Sequence, residues 1–187
     1  MRIIGDVHGN ILEYQDLWPD NDQSIQIGDM GIGFKGIYLE PSLDHKFFRG
    51  NHDSPQLCLQ HENYLGDWGY ENEIFWYAGA DSIDKAIRKP YVSWWPDEEL
   101  SFAQAQMALQ DYEQAKPRIM LSHDCPQTIM ELLFPYRKRS QTRLALESMF
   151  QIHQPDLWIF GHHHVNTGIV AEGTRFICLP ELGYIDL

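Results

Sequence analysis

Short apolar runs, each closed by small and polar residues, alternate along this chain with stretches of helical spacing. Arg2-Ile3-Ile4, Ser24-Ile25-Gln26-Ile27, residues 45–48, Arg118-Ile119-Met120-Leu121 and Leu157-Trp158-Ile159-Phe160 are too short for helices and read as buried strands. Glu73-Ile74-Phe75-Trp76-Tyr77 is a further strand candidate inside a stretch, 62–77, whose spacing is mixed. Asn10 is suited to cap a helix with apolar residues at Ile11, Leu12, Tyr14, Leu17 and Trp18, closed by Pro19-Asp20-Asn21-Asp22. Ser54-Pro55 reads as a cap and first helical position, and 81–88 as a capped short helix or turn. A longer helix is predicted over 97–116, where Asp97-Glu98-Glu99 suits the positive end of the helix dipole, and two more over 127–134 and 140–153. Residues 168–171 and 175–179 flank Glu172-Gly173-Thr174 as a β-hairpin. No repeat, low-complexity tract or linker interrupts the pattern, which describes an α/β chain forming one domain over 1–187.

The residues that carry chemistry stand at the strand ends. Five strands run into Gly5-Asp6-Val7-His8, Gly28-Asp29, Gly50-Asn51-His52-Asp53, Ser122-His123 and Gly161-His162-His163-His164. Ligand sites of open α/β sheets lie outside the carboxyl ends of the strands, so these endings should converge. Two carboxylates (Asp6, Asp29), one amide (Asn51) and four imidazoles (His8, His123, His162, His164) then meet. Packing does not call for such a set, because buried charge is costly unless paired or bound to metal. Mixed oxygen and imidazole donors suit Mn, Fe, Co, Ni or Zn. Seven donors exceed one such ion and suit a pair about 3.5–4 Å apart, bridged by a carboxylate and a hydroxide and fit for in-line displacement at phosphorus. His52, beside the ligand Asn51, is expected as general acid, with Asp53 as its orienting partner.

The ordered set Asp-x-His, Gly-Asp, Gly-Asn-His-Asp, lone His and Gly-His-x-His resembles the calcineurin-like metallophosphoesterases, and its motifs anchor residues 5–164. The resemblance implies a four-layer αββα sandwich of two mixed sheets flanked by helices, with no cap domain. It further implies a first metal held by Asp6, His8 and His164, a second held by Asn51, His123 and His162, and Asp29 bridging both. In the family the histidine matching His52 protonates the leaving oxygen and the carboxylate matching Asp53 helps orient it. The cofactor expected is two divalent ions, manganese first, with Fe, Ni, Co or Zn as substitutes. Members acting on phosphoproteins continue the second motif as Gly-Asp-x-Val-Asp-Arg-Gly, whose arginine grips phosphate. Here Met30-Gly31-Ile32-Gly33 stands instead, which argues against a protein phosphatase and leaves Arg49, Lys35, Lys85 and Arg88 as replacement grips. Gly79-Ala80-Asp81-Ser82-Ile83-Asp84-Lys85, with Trp94-Trp95-Pro96 downstream, resembles a bacterial and phage subgroup of the family.

Bulk properties narrow the function further. The formal charge of −13 and the lack of a basic run argue against non-specific nucleic-acid binding, whereas a small phosphorylated substrate fits, since bound cations reverse the field locally. Hydrophobic content of 43% is globular, no apolar run reaches the roughly 18 residues of a membrane span, and the start is too short for a signal segment, so no membrane partner and a cytoplasmic protein are expected. Cys58, Cys125 and Cys178 read as reduced thiols, Cys125 as a core residue. The expected activity is a phosphomonoesterase. The alternatives are a phosphodiesterase on cyclic nucleotides or small diesters, and a non-catalytic module that keeps the fold. Asp124, His45, His61 and His153 are expected at the surface, His163 in a structural role, Trp94 and Trp95 in packing, and Arg137-Lys138-Arg139 in a solvated turn.

Overall fold

The fold, obtained as a computed structural model, describes every residue except Asn21, Lys35, Gly36, Pro41, Tyr136 and Arg137. Lys35 as a phosphate grip, Arg137 of the basic turn and Asn21 of the helix-closing turn therefore lie outside the described residues.

In chain order the elements are β1 (Arg2–Ile4), α1 (Ile11–Asp16), β2 (Ser24–Ile27), β3 (His45–Phe48), α2 (Pro55–Cys58), β4 (Trp68–Glu71), β5 (Ile74–Tyr77), a 3₁₀ turn (Lys85–Ile87), α3 (Phe102–Ala115), β6 (Ile119–Ser122), α4 (Gln127–Leu133), α5 (Gln141–Ile152), β7 (Leu157–Phe160), β8 (Thr167–Ala171), β9 (Thr174–Cys178) and β10 (Tyr184–Asp186). One sheet has the order β10-β1-β2-β3 and the other β4-β5-β6-β7-β9-β8. In the first, β1, β2 and β3 are parallel and β10 is antiparallel to β1. In the second, β5, β6, β7 and β9 are parallel, with β4 and β8 antiparallel at the edges. Both sheets are mixed, and the carboxyl ends of their parallel strands carry the five motifs.

Strand alternation makes the layers. Ile3 and Phe48 share a core with the second sheet, whereas their neighbours Ile4 and Phe47 pack with Tyr14 of α1 and Cys58 of α2 on the opposite face. In the second sheet the row Phe75, Met120, Trp158 and Phe176 is in register, and its rings meet Tyr112 of α3 and Phe150 of α5 at centroid distances of 5.2 to 6.0 Å. The expected αββα sandwich is borne out.

Differences from the predicted elements have local causes. The helix expected from 97 begins at Phe102, because Ser101 and Gln104 form a capping box, Ser101 Oγ accepting from the Gln104 N–H and Gln104 Oε1 from the Ser101 N–H. Glu98 is drawn inward, where it accepts from Ser82. Strand β4 has no apolar alternation of its own and exists by pairing with β5, while β10 closes the first sheet against β1.

Arg49 stitches the two sheets. Its Nε donates to Asp67 at 2.6 Å and its Nη1 to the Glu98 carbonyl at 2.7 Å, with the guanidinium almost fully buried. Replacing Arg49 by Met strands that carbonyl and the partner carboxylate, and is expected to lower the unfolding free energy by about 3 kcal/mol. Urea denaturation measures this, and a loss below roughly 1 kcal/mol would contradict the pairing as a structural tie.

Candidate metal centre

The loops that bear the candidate donors adopt backbone conformations that ordinary side chains avoid. His8, Asp29, His162 and His164 sit at φ of 49°, 59°, 65° and 54°, the left-handed region. Non-glycine residues persist there when the surroundings over-determine them, and such strain clusters at functional sites. Gly50 and Gly161 are needed for close approach: a Cβ on Gly50 would collide with the Asp29 carboxylate and His123, and one on Gly161 with the Asp6 carboxylate. The glycines that precede the motifs thus leave room for donors from other strands.

The donors converge as the strand endings predict. Asp6, His8, Asp29 and His164 each offer an atom within 4.8 Å of the others, as do Asp29, His123 and His162. Asn51 joins the second group, its Oδ1 lying 3.2 Å from His123 Nε2. Asp29 belongs to both groups, with Oδ1 3.2 Å from His123 Nε2 and Oδ2 3.8 Å from His8 Nε2. His8 Nε2 and His164 Nε2 face each other at 2.9 Å, and His164 Nε2 is 3.0 Å from Asp6 Oδ2. The first group is open, with the side chains of His8 and His164 22% and 46% exposed, whereas His123 is closed off from solvent.

A surrounding layer orients these donors. His123 Nδ1 lies 2.9 Å from the Ile27 carbonyl, so its proton belongs there and Nε2 is left to face the cluster. The His162 N–H donates to both oxygens of Asp6 at 3.1 Å. Asp124, expected at the surface, is instead fully buried: Arg143 Nε donates to its Oδ2 at 2.7 Å, and its Oδ1 lies 3.1 Å from His163 Nε2. Asp124, Cys125 and His163 would also meet the spacing of a metal site, but Arg143 already supplies the cation there. His45, His61 and His153 are likewise partly buried, each bonded to a neighbour: the Ser24 hydroxyl, the Leu39 carbonyl and the Pro117 carbonyl.

The electrostatics match a cation site. Burial opposes ionisation of Asp6, yet hydrogen bonds from His164 and His8 outweigh it and hold the carboxyl below its usual range. Burial works against a charged His123 too, but the Asp29 charge and hydrogen bond raise it to about 10. Burial pushes His162 down to about 3 against the pull of Asp124, leaving the neutral imidazole that a metal ligand must be.

A family model for calcineurin-like phosphoesterases matches residues 2–166. The chain belongs to the calcineurin-like phosphoesterase family. It is a metal-dependent phosphoester hydrolase. No curated protein matches the sequence. Among solved structures it is similar to GAP50 of the Plasmodium inner membrane complex, at 14% identity and a TM-score of 0.54, covering 95% of this chain and 70% of that one. It is also similar to a candidate 5′-nucleotidase from Staphylococcus aureus, at 13% identity and a TM-score of 0.51, covering 97% of this chain and 48% of that one. At these identities the likeness concerns the fold.

For a phosphoesterase of this family, the donor chemistry and the space cleared by glycine fit divalent ions. Two roles expected for neighbouring residues do not survive the geometry. Asp53 is no partner of His52: its buried carboxylate accepts the N–H groups of Met30, Gly31, Ile32 and Gly50 at 2.7 to 3.2 Å, and so ties the second motif to the third. Arg49 is spent on Asp67 and Glu98, away from the cleft. Lys85 pairs with Asp81 at 2.5 Å, and Trp95 is buried against Phe34, as packing. Arg88 does reach the site: it lines a cleft of about 560 Å³ together with His8, Asp29, Asn51, His52 and His162. Asp124 was missed because an acidic residue next to a ligand has no signature of its own; its burial depends on Arg143 from α5.

Loading the metal-free protein with Mn²⁺ is expected to expel the His123 proton, together with any held by His8 and His164, whose pKa values are also raised, so apparent affinity should rise at least about tenfold per pH unit below pH ~10. The metal-free fold has the opposite dependence. The raised His123 pKa means that the imidazolium–Asp29 pair stabilises it fully below about 6.5 and loses that contribution as pH rises through about 10. Titration calorimetry in buffers of different ionisation enthalpy counts the protons released on binding, and urea denaturation of the metal-free protein across pH reads its stability; an affinity independent of pH between about 6 and 8 would contradict the account.

Proposed function

We propose that this protein is a phosphomonoesterase for a small phosphorylated substrate, using two divalent ions, manganese first, held by Asp6, His8, Asp29, Asn51, His123, His162 and His164. When bound, such ions lower the pKa of water and neutralise developing charge on phosphoryl oxygens. The remaining work falls to His52 and Arg88.

The observation that carries the reading is the pairing of these two side chains beside the donors. The His52 ring meets the His8 ring edge-on at 5.1 Å, and Arg88 Nη1 and Nη2 lie 3.3 and 3.1 Å from the two ring nitrogens of His52. Arg88 is held from behind by Asp84 at 2.6 Å and the Ser93 carbonyl at 3.0 Å, so its guanidinium is set in place before substrate arrives. It supplies a phosphate grip where the second motif lacks its arginine. In this role Arg88 fixes the phosphoryl group, and His52 gives its proton to the leaving oxygen as the phosphorus–oxygen bond breaks. Burial lowers the His52 pKa, with Asp29 opposing and Arg88 assisting. A phosphate dianion against Arg88 offsets that guanidinium charge and favours the protonated ring.

The surroundings fit this reading. Among the described residues no helix is long and apolar enough to cross a membrane, and all three cysteines are free and buried, in keeping with a cytoplasmic setting.

The assay is hydrolysis of p-nitrophenyl phosphate with Mn²⁺, set beside bis-p-nitrophenyl phosphate and a chelated control. Metal-dependent turnover with the monoester preferred is expected. His52→Ala should lower kcat by about 10²–10⁴ with both ions retained, and Arg88→Ala should raise KM. Preference for the diester would replace this reading with a phosphodiesterase, and no turnover on either ester would overturn it.

A further inference from the structure

One ligand in the set is ambiguous by shape. An asparagine amide presents an oxygen at one end and an NH₂ at the other, and only the oxygen can meet a cation. A half-turn of the Asn51 side chain would aim two N–H groups at the ion. Whatever fixes the orientation of Asn51 therefore controls the second metal site, and the fold supplies such a device in the stretch around Ser82 and Glu98.

Glu98 accepts twice from Ser82, through Oε1 from the backbone N–H at 2.9 Å and through Oε2 from the hydroxyl at 2.5 Å. The hydroxyl hydrogen is thereby committed, and only lone pairs remain on Ser82 Oγ. Asn51 must present a donor to them, and its Nδ2 donates to Ser82 Oγ at 2.9 Å. The amide oxygen is left facing His123 Nε2. Asn51, Ser82 and Glu98 are 3%, 2% and 2% exposed, so bulk water cannot offer Asn51 a different partner.

The relay is anchored to the loop after β3 that carries Asn51. Arg49 Nη1 holds the Glu98 carbonyl at 2.7 Å, and the Arg49 carbonyl accepts from the Gly79 N–H at 2.9 Å. Gly79 sits at φ 82°, and a Cβ there would collide with the Glu98 carbonyl. Two sequence features that the ligand set leaves unexplained, the stretch from Gly79 to Lys85 and the segment after Trp94-Trp95-Pro96, thus meet at one hydrogen-bonded chain.

We propose that Ser82 and Glu98 are positioning residues of the second metal site, a relay from Glu98 through Ser82 that fixes which end of the Asn51 amide meets the ion. The proposal rests on the metal-centre reading, though not on any particular substrate.

The test is Mn²⁺ binding to the metal-free full chain, in wild type, Ser82→Ala, Glu98→Gln, Asn51→Ala and the double variant Asn51→Ala/Ser82→Ala. Ser82→Ala and Asn51→Ala should each weaken one of two sites by about 10–100-fold and spare the other. The double variant should be no weaker than Asn51→Ala alone, because Ser82 acts only through that side chain. Glu98→Gln, whose amide can donate, should weaken the same site. Independently, the Asn51 side-chain amide resonances of the metal-free protein should shift in Ser82→Ala and in Glu98→Gln. Wild-type isotherms in both Ser82→Ala and Glu98→Gln, an equal loss at both sites, multiplied losses in the double variant, or unmoved Asn51 resonances would each overturn the relay. Because ion binding is read rather than turnover, a protein that binds as described but hydrolyses no phosphate ester overturns the proposed function and supports the relay.

Discussion

The Asp29 carboxylate is the group around which this structure is arranged. It is 1% exposed, sits on a residue at positive φ, accepts the His52 N–H at 2.7 Å, and belongs to both groups of metal-capable donors. A buried carboxylate is unfavourable unless positive charge or hydrogen bonds surround it. Here the surrounding groups come from both sheets: Asn51 and His52 lie after β3, His123 after β6, His8 after β1 and His162 after β7. Packing the sheets face to face is therefore also what assembles the site. Asp53 secures the arrangement by holding the loop after Asp29 through three N–H groups while accepting from Gly50 on its own loop.

Around this centre lie two kinds of support. Backbone carbonyls and carboxylates, such as Ile27 behind His123 and Asp124 beside His163, fix ring orientation. The segment from Gly79 to Glu98 forms a second wall, contributing Ser82 behind Asn51 and Arg88 against His52. That wall brings the Arg88 guanidinium into the cleft from a part of the chain remote from the second motif. Exposure differs across the centre: His8, His164 and His52 line the cleft, whereas His123 is closed off from solvent.

The motif-bearing strands and the convergence of the seven candidate donors were legible in the sequence because apolar runs ending in glycine and a polar residue have a local signature, and because the motifs occur in a fixed order, whereas β4 and β10 exist by pairing with β5 and β1. What escaped was whatever depends on a distant partner. Arg49 looked available from its neighbours, yet Asp67 and Glu98 claim it. Asp53 looked like an orienting group for the histidine beside it, and its carboxylate points back to backbone donors 21 to 23 residues earlier. Asp124 read as a surface acid until Arg143 was brought against it. The helix start misplaced at 97 has the same origin: the acidic run suits a helix N-terminus, but Ser101 caps better and Glu98 is needed inside.

The central claim is that Asp29 joins two cation sites into one centre. Anomalous diffraction from crystals of the Mn²⁺-loaded protein tests it most directly. The account predicts two peaks about 3.5–4 Å apart with the Asp29 carboxylate between them, one beside Asp6, His8 and His164 and the other beside Asn51, His123 and His162. A single peak, or two ions that share no protein ligand, would contradict it.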